Sequence, residues 1–446
     1  MAQINEKALV NAFTKQNPLD VMLSAPEAIV ILEGLVIVVS CAPDPKLPDV
    51  KYKFIKQKSL KASIYQLISE LTEALRQADN NMYSIFLKFM NLQSDFQCGF
   101  EVMANINDPD APEALDEIVK NIKQVCNACS DIAAKTEKIV EQVLSLNQEL
   151  NIACQATKGS EEDRLREAKK SLNELEEKIA ANASIHERTK TSHEQARKNA
   201  EYARSEVDRT ADEGTGLWIS MKNAFTFGGA RRAWEKKGDL KQELHTKAVK
   251  DKEEVGKKLD EVEMETKKMT AMIKNVDLDK MEMEDVIKFV GDSFASLDRV
   301  RTKWAEVVSF FNKLNSTIET LLKENSEKTD KLGSKNKFLF NKSKQLFIQT
   351  FGHSIGALET AKTYNLLSKN HIVPLLDDVS KGFSIDKATA KKRQSEIEDK
   401  LTGVQKETRK LLNERTSTTD DEIAACDQLV QLMLKSSENA PGQIES

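Results

Sequence analysis

Apolar side chains recur at intervals of three and four along most of this chain, the spacing that keeps them on one face of an α-helix. From Ser59 to about Met103 the series is Leu60, Ile64, Leu67, Ile68, Leu71, Leu75, Met82, Ile85, Phe86 and Phe89. After the break Asn107-Asp108-Pro109-Asp110-Ala111-Pro112, a second series runs from about Glu113 to Lys158 through Ile122, Val125, Ile132, Ile139, Val143, Leu146 and Leu150. Met281 to about Leu322 carries Val286, Ile287, Val290, Phe294, Leu297, Val300, Trp304, Val307, Val308, Phe311, Leu314 and Ile318. Two more helices are expected. One covers about 336–369 with Phe340, Phe347, Phe351, Ile355 and Leu358, and the other about 387–435 with Ile397, Leu401, Val404, Leu411, Leu412 and Ile423.

Two stretches hold the alternation long enough to read as coiled seams. In the first, Leu165, Ala168, Leu172, Leu175 and Ile179 lead into the more polar Asn182, His186, Thr189, His193, Ala196, Ala200, Ala203 and Val207. In the second, His245, Ala248 and Lys252 lead into Val255, Leu259, Val262, Thr266, Met269, Ile273 and Val276. Both thin out towards the residues between them. That predicts a long antiparallel hairpin over 161–276, roughly 70–80 Å in reach, with a loosely packed far end. The fold expected is all-α: an elongated bundle of long, antiparallel, coiled-coil-like helices.

Prolines punctuate this pattern. They stand at 18, 26, 43, 45, 48, 109, 112, 374 and 441. A proline costs roughly 3 kcal/mol in a helix interior, so these positions mark where helices are not expected. The run from Glu113 to Val373 contains none. The divisions that follow are an N-terminal segment 1–58, a bundle formed by 59–160 and 277–436, the hairpin 161–276, and a disordered tail 437–446. Within the first segment, Ala28 to Val39 is nearly all apolar and rich in β-branched residues. It falls short of the roughly 20 residues a membrane span needs, and Glu33 interrupts it. It reads as a buried core helix or strand, the alternative being a second membrane-active element. The five lysines between Lys51 and Lys61 form no motif and are assigned no role.

Composition narrows the function classes. Charged residues make up 31% of the 446 residues and aromatics 6%, a helix-former balance. The formal charge of -5 leaves no footprint for nucleic acid. The N-terminus lacks a basic region followed by an apolar core, so a classical secretory signal is not expected. The chain is expected to be made as a soluble protein, to stay cytoplasmic or leave by a non-classical route, and to act at membranes. Phosphate-loop, dinucleotide-binding and nucleophile-elbow motifs are missing, and no enzyme or cofactor is expected.

Three smaller patterns read as structure. Cys126-Asn127-Ala128-Cys129 lies inside an amphipathic helix rather than at a strand–helix junction, and reads as buried thiols. His186 and His193 are followed four residues on by Lys190 and Arg197, so no metal face exists. They read as polar spacers in the seam, with a protonation-sensitive seam as the alternative. Asp277-Leu278-Asp279 begins like a calcium loop but has Glu282 where glycine is required.

The residues joining the two seams, 211–239, differ from everything around them. They contain Gly214, Gly216, Gly228, Gly229 and Gly238, five of the sixteen glycines, and two of the three tryptophans, Trp218 and Trp234. Leu217, Trp218, Met221, Ala224 and Phe225 fall on one helical face, with Ile219 and Phe227 beside it. Arg231, Arg232, Lys236 and Lys237 follow. A turn needs only a few polar residues. An apolar aromatic face flanked by cations is what a membrane interface favours, each cation adding on the order of 1 kcal/mol near anionic headgroups. The competing reading is a small cap packed on the same chain.

This layout resembles the α-helical pore-forming toxins, the group of hemolysin E, the hemolysin BL and Nhe components and alpha-xenorhabdolysin. The match is one of architecture, with Gly214–Ala230 as the tongue at the hairpin tip and the Trp304, Phe310 and Phe311 helix as a bundle helix. The resemblance implies a soluble monomer that inserts Leu217, Trp218, Ile219, Met221, Phe225 and Phe227 into a lipid membrane. Gly214, Gly216, Gly228 and Gly229 would be hinges, and Arg231, Arg232, Lys236 and Lys237 contacts to anionic lipid. Its partners would be the membrane and either copies of itself or further toxin components. The tongue is short, 17 residues with Lys222 and Asn223 inside it. Lone pore formation, action as one component of several, and membrane binding alone therefore stay open. The alternative from another class is a coiled-coil scaffold working through helix-to-helix contacts.

Overall fold

The computed structural model describes residues 21, 24–104, 111–157, 166–177, 179, 253–254, 256–329, 347, 350–351, 353–354, 357–358, 360–380 and 385–411. Helix accounts for 89% of this part and no strand occurs in it, so the protein is an all-α helical bundle. We label the helices α1 (Ser24–Cys41), α2 (Leu60–Ala104), α3 (Ala111–Gln155), α4 (166–177), α5 (256–275), α6 (Met283–Thr329), α7 (360–367), α8 (Val373–Ser380) and α9 (387–411).

The three longest helices, α2, α3 and α6, have 45, 45 and 47 residues, which is about 65–70 Å each. Polar contacts between them give their directions. Asn81 donates to the Thr136 hydroxyl at 2.8 Å, joining α2 to α3 near their middles. Asn147 donates to the Val290 carbonyl at 3.2 Å near one end of the α3–α6 pair, and Ser130 donates to Asn312 at 3.0 Å further along. Rising numbers on α3 therefore meet falling numbers on α6, and these two helices run antiparallel.

Their apolar stripes build two cores. One is aliphatic and surrounds α1. It takes Leu60 to Leu75 from α2, Val143 to Cys154 from α3, and Val286 to Leu297 from α6. The other is aromatic and fills the opposite halves of the same three helices. There Phe89 stacks on Phe311 at 5.7 Å, Phe96 and Phe100 meet Phe347 at 5.4 and 5.1 Å, and Trp304 meets Tyr364 edge-on at 5.9 Å. Such pairs add about 0.5–1.5 kcal/mol beyond area burial.

The expectation that Ala28–Val39 forms a helix or strand resolves to helix. A helix apolar all round needs no amphipathic period, because it is buried on every side. The expectation that prolines lie outside helices needs correction. Pro26, Pro112 and Pro374 each sit within the first three residues of α1, α3 and α8. At the starts of α1 and α3 the N–H groups are free in any case, so the missing donor costs little there, whereas Pro374 lies within a helical run that continues from α7. Before Pro374 the backbone forms a π turn, Ser368–Ile372, in which the Val373 N–H bonds to the Ser368 carbonyl. Of the two seams, the described positions Ala168, Leu172, Leu175, Leu259, Val262, Thr266, Met269 and Ile273 are buried, while Ile179 and Val276 are half-buried. Met269 and Ile273 belong to the core around α1, so the α5 seam faces the main bundle there.

Candidate functional site

Every residue picked out at the tip lies outside the described residues: Gly214, Gly216, Leu217, Trp218, Ile219, Met221, Phe225, Phe227, Gly228, Gly229, Arg231, Arg232, Lys236 and Lys237. The polar seam histidines His186 and His193 lie outside them as well. The described region holds a different candidate, helix α1 and its restraints.

Helix α1 has the sequence SAPEAIVILEGLVIVVSC, and Ala28 to Val39 are buried, apart from Gly34 all at 4% exposure or less. Two carboxylates go into the core with it. Glu33 is 1% exposed, and Arg393 at 3.1 Å and Lys400 at 2.5 Å, both on α9, donate to its two oxygens. Arg393 also donates to Asp378 on α8 at 2.5 Å. Glu27 is fully buried and bonded through one oxygen to Arg299 on α6, while its other oxygen is buried without a partner. Burial pushes the Glu27 carboxyl above its ordinary value, and the Arg299 charge only partly offsets that. Removing one partner of a buried pair costs about 3–5 kcal/mol, whereas replacing a whole pair by apolar groups is often neutral. These pairs fix where α1 sits more than they add stability.

Close packing supplies a second restraint. A Cβ added at Gly34 would lie 2.2 Å from the Phe289 ring, so the ring rests directly on the α1 backbone. Next to this contact a cavity of about 240 Å³ is lined by Ile37, Val38, Met272, Val276, Leu278 and Phe289, with Asp277, Asp285 and Lys288.

Helix α9 closes the site from outside, and polar groups hold it. The Gln394 amide donates to the Ile273 and Val276 carbonyls at 2.6 and 2.9 Å, capping α5. Gln405 donates to Thr266 at 3.0 Å, and Arg409 bonds Glu263 at 2.7 Å and also Asp260. Lys274 pairs with Glu398, and Lys387 and Lys391 reach Asp279 at 3.0 and 2.6 Å. The lysines hold the Asp279 and Glu398 carboxyls below their usual range, and Asn370 and His371 do the same for Glu407. The described apolar residues that α9 buries are Ala390, Ile397, Leu401 and Val404. Exposed ion pairs contribute little, so beyond the contacts of Arg393 and Lys400 with buried Glu33, α9 is a clasp held by many weak attachments.

The other sequence features have plain roles. Cys126 and Cys129 are fully buried, and burial raises both thiols, Cys129 to about 12, which makes them poor nucleophiles. Asp277 accepts the Asp279 N–H at 2.9 Å in a local turn. Among the described residues no group of three or more His, Cys, Asp or Glu side chains is placed to hold a metal. The residues sequence reasoning missed are Glu27, Arg299, Arg393 and Lys400. The signal available was Glu33 itself, a carboxylate inside an apolar run, but its partners are 360 and 367 positions away.

In comparisons with known proteins, no family model, no curated protein and no solved structure matched this chain.

Proposed function

We propose that the protein acts on membranes, carrying a concealed apolar helix and an aromatic tip that engage lipid together. The observation that carries this reading is α1, an 18-residue helix apolar around nearly its whole circumference, stored at the centre of the bundle under a polar clasp. Such a helix released into water would expose a large apolar surface, and a lipid interface offers it an alternative burial. Its length of about 27 Å falls short of a hydrocarbon core of about 30 Å. No helix among the described residues is long and apolar enough to cross a membrane. An interfacial helix needs a polar face that α1 lacks, so burial of α1 in lipid would follow assembly with copies of itself or with partner components rather than a lone span or a surface-lying helix. The tip at 211–239 would make first contact through Trp218 and Phe225, in the manner of the pore-forming toxins that the layout resembles.

The test uses the full chain with phosphatidylserine vesicles. Tryptophan emission should shift to the blue and entrapped dye should escape. Deleting Gly214–Ala230, or changing Phe225→Asp, should abolish both while leaving helicity intact. Unchanged vesicle association in the deletion variant would dispose of the tip, and no association by the native chain would dispose of the reading altogether.

One observation favours the scaffold reading. Tyr83, Leu87 and Met90, on one face of α2, are 53%, 41% and 46% exposed. Their spacing of four and three is what a partner helix would use. Under that reading Leu87→Glu would abolish partner binding and the tip deletion would not.

A further inference from the structure

We propose that the strap between α1 and α2, residues 42–59, is a docking surface for anionic lipid headgroups. This rests on the membrane reading above and names a second contact for it.

The strap carries Lys46, Lys51, Lys53, Lys56 and Lys58, all exposed, against Asp44 and Asp49, in a chain whose formal charge is -5. Lys56 pairs with Glu70 at 3.4 Å. Among the described residues Lys46, Lys51, Lys53 and Lys58 have no carboxylate within ion-pair distance. The Lys53 ammonium lies over the Phe54 ring, 5.3 Å from its centre. The Asp44 carboxylate accepts the Lys61 N–H at 2.9 Å.

The strap has almost no regular secondary structure, yet its backbone is fixed. Glu149 on α3 is 2% exposed, and its carboxylate accepts the N–H groups of Lys53, Phe54 and Ile55 at 2.6, 2.7 and 2.6 Å. Gln66 on α2 accepts the Lys56 N–H at 2.9 Å and donates to the Phe54 carbonyl at 2.8 Å. The Leu47 N–H meets the Lys58 carbonyl at 3.0 Å, and the Leu47 and Ile55 side chains are buried. A buried carboxylate thus shapes a loop whose outward side chains are cationic. A surface fixed in this way loses less freedom on binding.

Two observations point to lipid among the polyanions. The cations are all lysines, compact point charges on flexible stems, whereas base and phosphate recognition on nucleic acid favours the planar arginine fork. The strap also follows directly on the C-terminus of α1, the most apolar helix described, and a lysine cluster beside an apolar helix is the pattern that anionic headgroups attract.

The test compares the native chain with the triple variant Lys51→Gln, Lys53→Gln and Lys58→Gln. It uses cosedimentation with phosphatidylcholine vesicles that do or do not contain phosphatidylserine. Each lysine lost should weaken partitioning roughly fivefold, so the triple variant should bind about a hundredfold less well, and added salt should weaken the native chain. Unchanged thermal melting will show that the variant is folded, since its three side chains are exposed. Equal binding by variant and native chain overturns the proposal. Binding of heparin or single-stranded DNA, with no phosphatidylserine dependence, overturns it in favour of another polyanion. Failure of the membrane reading is a separate result. It would appear as an absence of any vesicle association by the native chain, and lysine-dependent binding without a tryptophan blue shift or dye release would remove the tip alone, whereas native-level binding by the triple variant would remove the strap alone.

Discussion

The aliphatic core around α1 and the aromatic core beyond it share the helices α2, α3 and α6 but treat charge in opposite ways. Glu27, Glu33, Glu149 and Arg393, the charged residues buried among those described, all lie in the aliphatic half. The aromatic half buries rings against rings, with uncharged polar groups such as the Thr136 hydroxyl and the His353 imidazole among them. Each half also has one glycine on which a phenylalanine ring rests, Gly34 under Phe289 and Gly99 under Phe347. The same packing device therefore serves both cores, the one that buries charged side chains and the one that does not. The difference is that α1 is tied by charges whose alternative partner is water.

If the aromatic half is the stability core, its truncations should dominate. Phe311→Ala removes a ring that is 1% exposed and should cost about 3–5 kcal/mol in chemical denaturation. A loss smaller than that for Ile31→Val would reverse the comparison.

Acid should separate the halves by mechanism. His353, next to Phe310 at 6.1 Å, is held neutral by burial, its value lowered from 6.5 to about 4. Between those pH values the unfolded chain takes up a proton that the folded chain refuses, so stability should fall as pH falls, by at most about 3 kcal/mol. His353→Leu should flatten that slope in pH-dependent melting. The clasp responds lower. Asp279, Glu398 and Glu407 are depressed, so their contribution is present above the ordinary values of 3.8 and 4.5 and is lost as pH falls through the lower folded values.

A methyl group tests the matched glycines. Gly34→Ala and Gly99→Ala both push a Cβ into a phenylalanine ring, at 2.2 and 2.3 Å, and each should cost about 1–3 kcal/mol. Only Gly34→Ala should raise hydrogen exchange in α9, because it displaces α1. Equal exchange in the two variants would mean that α1 and α9 are not coupled.

The smallest effect belongs to the clasp surface. Asp279→Asn removes a partner of Lys387 and Lys391 on the surface and should leave global stability in chemical denaturation almost unchanged. Local exchange over 387–411 should nevertheless accelerate. An unchanged exchange rate would show that α9 is held by its four apolar residues instead.

The sequence by itself determined the all-α class, the long helices at 60–104 and 111–155 to within about three residues at each end, and the buried faces of the described helices. Those properties depend on neighbours three and four positions apart, which a linear chain displays directly. The lone apolar run at 28–39 was legible as buried but not as helix or strand, because a segment covered on every side shows no period. Of the candidate site, Glu33 was visible and its meaning was not. Only the tertiary structure brings Arg393 and Lys400 to Glu33, and Arg299, 272 positions away, to Glu27. Only it places the Glu149 carboxylate under the lysine strap, converting a basic stretch without a motif into a shaped surface. Pairings over such distances follow from how stripes of different helices meet, and that is a property of the assembled bundle.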